Sequence, residues 1–145
     1  MDMGDFMEQT NRSELRKKIM TILYQISIYE QNKIDYNVEE IIKNISEIEN
    51  EFIKDTVYGV ITYKNELDEI ANKYLNNWTI DRLGNTDASI LRIGIYELIY
   101  TETPAIVAIN EAVELAKLYS DDDVRKMINA SLDKLYHERE DNEQR

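Results

Sequence analysis

The chain has 145 residues, the size of one domain, with 43% hydrophobic residues and no cysteine, so disulfides and thiolate zinc sites are excluded. Acidic residues outnumber basic ones 29 to 17, for a net charge of −12; this argues against a general nucleic-acid binder, favours basic partners and leaves room for a local basic patch. Four glycines and one proline cannot supply the turns of an all-β fold, and neither a membrane-length apolar run nor a signal-peptide core is present, so an all-α cytoplasmic protein is expected.

Residues 1–11 are expected to form a flexible tail. Leu15, Ile19, Ile22, Leu23 and Ile26 share one helical face and predict a helix over about 12–30. "QNKIDYN" breaks it, and Val38, Ile41, Ile42 and Ile45 mark a short helix over about 37–46. Phe52, Val57, Val60 and Ile61 mark a helix over about 49–62, and Leu67, Ile70, Ala71, Tyr74 and Leu75 one over about 65–77. "NWTIDRLGN" reads as a connector with a short helical turn. Asp87 is the expected cap of a helix over about 87–101 that is apolar nearly all round, as a central helix should be. Pro104 suits the start of a helix over about 105–119. "SDDD" offers caps for a last helix over about 122–139, whose inner face is Val124, Met127, Ile128, Ser131, Leu132 and Leu135. This makes about seven helices.

Little catalytic chemistry can be assembled. One histidine, His137, and no cysteine exclude a Ser-His-Asp or Cys-His site within the chain, and a bundle di-iron site needs more histidine. His137 lies in "YHERE" and reads as a solvated surface residue. No glycine-rich phosphate loop occurs, so no cofactor is implied; Gly94 in "RIGIYE" reads as a close helix contact. Glu111 and Glu114 share a helix face, but Lys117 follows Glu114 by three, the pattern of a solvated ion pair. Arg92 and Glu97 fall on the helix expected to be most buried, where charges need partners. Arg92 is expected to pair with Asp87, Glu97 or Glu111.

The most basic window is "RSELRKK", with Arg12, Arg16, Lys17 and Lys18 against Glu14. Arg12 and Arg16 are i, i+4 and project the same way, which suits phosphates or RNA bases; a solvated helix face gives the same pattern. A second, weaker candidate is "SDDDVRKMIN", where a helix N-terminus and Arg125 and Lys126 are opposed by three aspartates.

Several ordered blocks then carry a resemblance: "RSELRKKIMTILYQ", "KYL", "WTIDRL", "DASILRIGIYELIY", "VAINEAVELAK" and "INASLDKL". At these blocks, over roughly residues 12–135, the chain resembles the NusB family of transcription antitermination factors. The resemblance implies an all-α fold of two packed helical subdomains, one RNA-binding domain over 12–139 with tails at 1–11 and 140–145. It implies a non-catalytic adaptor that binds boxA RNA of nascent ribosomal transcripts together with NusE, a small-subunit ribosomal protein, within an RNA polymerase antitermination complex. Carried over by position, Arg12, Arg16, Lys17 and Lys18 match the family's basic RNA-binding segment. Tyr74 matches a tyrosine at the RNA surface. Asp123, Lys126 and Met127 match a second RNA-contact segment, and Asp87 an acidic position near the NusE interface.

Two departures stand out. Lysines replace some of the family's arginines in the first segment. Met127-Ile128-Asn129-Ala130 stands where the family usually has Phe-Val-Asn-Gly, which removes a ring that can stack on a base. Two other readings compete: a NusB-like domain associated with rRNA methylation, for which the chain has no room beyond its helices, and a helical protein-interaction module with weak RNA binding. A homodimer would cover the same surface.

Overall fold

The computed structural model describes the backbone of residues 3–143 and the side chains of residues 11–143. Among the described residues there are seven α-helices, one 3-10 turn and no strand. They are α1 (Met3–Gln31), α2 (Val38–Ile45), α3 (Glu51–Thr62), α4 (Lys64–Tyr74), the turn Ile80–Arg82, α5 (Asn85–Tyr100), α6 (Ala105–Tyr119) and α7 (Asp122–Glu143). Among the described residues, no helix is long and apolar enough to cross a membrane. The chain divides into two compact units, one ending at Gly59 and the other beginning at Val60.

Four boundaries differ from the sequence expectation. The helix expected from about Arg12 begins at Met3, so residues 3–11 continue α1 instead of forming a tail; Met1 and Asp2 lie outside the described residues. No proline interrupts this stretch, and extending a helix costs far less than starting one. The last helix likewise runs on through "EREDNE" to Glu143, so most of the expected C-terminal tail is helical. Helix α4 stops at Tyr74, short of 77, and Asn77 takes a left-handed backbone (φ 61°) that ends the turn. Helix α5 starts at Asn85 with Gly84 as its N-cap, so Asp87 sits in the first turn and is not the cap. There the carboxylate meets the positive end of the helix dipole and accepts a hydrogen bond from the Ser120 hydroxyl at the end of α6.

Other ends follow the expected chemistry. Asn37, Asn50 and Asp121 each accept from a backbone N–H three residues on, at 3.1, 3.0 and 2.9 Å. Such caps satisfy amides that would otherwise lack a partner.

In the first unit, Ile19, Met20, Ile22, Leu23 and Ile26 of α1 are buried, as are Ile41 and Ile42 of α2 and Ile53 and Val57 of α3. Leu15, the first residue of the expected apolar face, is half-buried. In the second unit, α5 contacts α4, α6 and α7, and its residues from Ala88 to Glu97 are buried except Arg92. The all-round apolar helix is therefore the centre of that unit, as its pattern requires. Gly94 admits this packing: a Cβ there would lie 2.9 Å from Leu132 Cδ1 and 3.2 Å from the Ala112 Cβ.

Arg92 pairs with none of the three expected acids. Its Nε donates to Asp68 Oδ1 at 2.7 Å and its Nη2 to Asp68 Oδ2 at 3.2 Å, a two-pronged bond from α5 to α4. Both side chains are largely covered. Asp68 precedes Arg92 by 24 residues, so no local spacing could reveal the pair. Removing one partner strands the other in a poorly solvated place. Arg92→Met should therefore cost about 2 kcal/mol in urea unfolding. Unchanged stability would show that Asp68 finds solvent instead.

Candidate nucleic-acid interface

The sequence-derived site residues fall on both units, and each unit holds its own arrangement. In the first unit, Arg12 and Arg16 do project the same way, and their common target is the Phe52 ring at the start of α3. The Arg12 guanidinium carbon lies 4.7 Å from the ring centroid and that of Arg16 5.2 Å. These are cation–π distances. The two arginines nevertheless differ in exposure. Arg12 is half-buried, whereas Arg16 is only 1% exposed. The solvated face expected for Arg16 is thus not where it lies; its methylenes and guanidinium are part of the packing between α1 and α3. Lys17 donates to Glu14 at 2.9 Å, across one helical turn. Lys18 is exposed and lines a groove of about 550 Å3 between α1 and the segment linking α2 to α3.

In the second unit, Tyr74 is the last residue of α4 and is half-buried. Its hydroxyl donates to the Glu138 carboxylate of α7. Lys73 Nζ lies 3.5 Å from the same carboxylate and 5.2 Å from the Tyr74 ring centroid. Burial and then the Glu138 hydrogen bond hold the Tyr74 phenol above its ordinary value. The hydrogen bond from Tyr74, then the Lys73 charge, pull the Glu138 carboxyl below its own. At neutral pH the group is a neutral phenol whose oxygen is hydrogen-bonded to a carboxylate, with an ammonium near both. The three residues line a groove of about 400 Å3 that also contains Lys134 and His137.

The second expected RNA segment opens α7. Asp123 and Lys126 are exposed and Met127 is half-buried. Asp122 lies 3.7 Å from Arg125 Nε and Asp121 caps the helix, so this helix start already carries neutralising and capping acids. Asp87 lies on α5, half-buried and bonded to Ser120. The pattern-based chemistry elsewhere stays bland: Glu114 takes Lys117 at 3.0 Å, and exposed His137 lies 3.5 Å from Asp133. Asn110 is exposed and Glu111 is half-buried. No cluster of potential metal ligands occurs among the described residues.

Phe52, Lys73 and Glu138 are absent from the sequence-derived site. Phe52 reads as an ordinary apolar-face residue of α3, and Glu138 lies 64 positions from Tyr74; only the folded chain puts them beside the basic helix and the tyrosine.

A family model described as the NusB family matches residues 13–137. The transcription antitermination protein NusB of Campylobacter jejuni is 37% identical over 126 residues, covering 86% of this chain and 94% of that protein. A solved structure of T. maritima NusB superposes with a TM-score of 0.74 at 28% identity, covering 88% of this chain and 91% of that one. A crystal structure of antitermination factors NusB and NusE in complex with dsRNA gives a TM-score of 0.71 at 29% identity, over 87% of this chain and 96% of that one.

Proposed function

The chain belongs to the NusB family, and from this we propose that it binds the boxA element of nascent ribosomal RNA jointly with NusE. It is a transcription antitermination factor and not an enzyme. The observation that carries the joint-binding reading is the match to nearly the whole length of the NusB chain solved with NusE and dsRNA. In this reading the factor works in the cytoplasm, within an RNA polymerase antitermination complex.

The roles follow from placement. Arg12, Lys17 and Lys18 supply phosphate attraction along α1, and Arg16 positions Phe52 beneath Arg12. Tyr74 offers a ring to a base, and Asp123, Lys126 and Met127 form a second contact with less aromatic surface than the family pattern. Asp87 marks the NusE side. A net charge of −12 repels RNA over most of the surface. A basic ribosomal protein bound to the acidic surface adds the missing attraction.

Titration of boxA RNA by fluorescence anisotropy tests this. Binding by the chain alone should be weak and should tighten at least about tenfold with NusE present. Equal affinity with and without NusE would sink the joint-binding reading.

A further inference from the structure

The groove beside Lys18 has a composition that phosphate binding alone does not explain. One wall is α1, with Asn11, Leu15 and Lys18; the other is the end of α2, with Asn44, and the segment leading on to α3, with Glu47 and Ile48. This second wall is held at both ends. The Ser46 N–H donates to the Ile42 carbonyl at 2.7 Å, and its hydroxyl to the Ile48 carbonyl at 3.0 Å. Asn50 accepts from the Ile53 N–H at 3.0 Å. Between these anchors Ile48 is 83% exposed. A lone exposed isoleucine means little. An isoleucine whose backbone is held in place, lining a groove together with Leu15, Asn11 and Asn44, is an apolar contact beside hydrogen-bonding side chains.

Charge narrows the occupant. Glu14 is taken by Lys17, while Lys18 has no ion pair among the described residues. Glu47 is exposed on the rim. With Glu14 already paired and Glu47 set against Lys18 at the rim, the groove holds no surplus positive charge for a phosphate inside it. A neutral base needs none. Its Watson–Crick edge mixes donors and acceptors, as carboxamides do. Pockets of several hundred Å3 hold ligands of this size. The groove also adjoins the cationic side of α1, and its second wall leads within two residues from Asn50 to Phe52, the ring under Arg12.

We propose that this groove takes one unstacked base of the bound single-stranded RNA. Ile48 and Leu15 lie against the base, Asn11 and Asn44 read its edge, and Lys18 holds the adjoining phosphate from the rim. The inference rests on the RNA-binding reading above and adds a sequence-reading subsite to it.

An abasic scan of boxA RNA tests the proposal, using the full chain with NusE. Removing the base at one nucleotide should weaken binding by wild type about tenfold. The variant N44A/I48S should lose about the same on intact RNA and lose nothing further from that abasic site. A wild-type scan in which no single base matters overturns the proposal without using any variant. Additive losses, or equal losses on every RNA, also overturn it and make the groove a general contact. Loss of NusE affinity without RNA, with the abasic profile unchanged, assigns the groove to the protein partner and overturns it too. If wild type with NusE binds no boxA RNA, the functional reading fails as well, which separates the two failures.

Discussion

Replacing Gly94 with valine should destabilise the protein by about 2–3 kcal/mol, because the helix contact it makes has no room for a side chain. A Cβ at this position lies 2.9 Å from Leu132 Cδ1 and 3.2 Å from the Ala112 Cβ. The leucine can swing; the alanine Cβ is fixed to the α6 backbone. Overpacking of this kind costs about 1–3 kcal/mol and occasionally more. Removing glycine from a helix interior returns only about 0.5 kcal/mol when valine replaces it, so crowding wins. For alanine the return approaches 1 kcal/mol and the crowding is smaller, so Gly94→Ala should be much milder. The diagnostic is coupling. Leu132→Ala alone should cost about 2–5 kcal/mol by leaving a cavity. Combined with Gly94→Val, the total loss should be well below the sum of the two. Urea unfolding followed by circular dichroism measures this, and strictly additive losses would show that the two side chains do not compete for space.

The second large effect concerns the basic helix. Arg12→Glu with Lys18→Glu should weaken boxA RNA binding about 100-fold at roughly 0.1 M salt, because each reversal removes an attraction and adds a repulsion. With both residues changed to alanine instead, the slope of log affinity against log salt should shrink by about 1.4 if each contacts one phosphate of a single strand. Both changes should leave the fold intact and cost about 1 kcal/mol of stability, the worth of the half-buried Arg12 contact with Phe52, since Lys18 is exposed. Arg16→Glu should behave differently. At 1% exposure and against Phe52, a carboxylate there would be buried in place of the cation, costing about 3 kcal/mol or more. The distinction is readable in one set of melts and titrations. If Arg16→Glu left the melting temperature unchanged and removed only RNA affinity, the packing role assigned to Arg16 would be wrong.

The difference between Arg12 and Arg16 shows what a pattern can and cannot convey. Helical spacing correctly puts both guanidinium groups on one side of α1. It cannot say that an aromatic ring 40 positions from Arg12 sits on that side. Arg92 is the same case: burial predicts that it must have a partner, and the partner, Asp68, comes from another helix. The Tyr74–Glu138–Lys73 cluster likewise joins the end of α4 to a polar stretch of α7 that reads as solvated surface.

Periodicity, caps and the scarcity of glycine and proline were enough to place seven helices, the central position of α5 and the close contact at Gly94, because these depend on interactions within a few residues and on which face is apolar. The ordered motifs carried the family. Helix ends were less determined: α1 and α7 run past their apolar faces because a formed helix extends at little cost. Which charges are buried, which aromatic ring the arginines cover, and that Lys18 faces a groove walled by Asn44 and Ile48 were decided only by the tertiary structure. Those contacts join residues tens of positions apart, and the free energy that selects them comes from packing and desolvation between elements, not from the preferences of any one of them.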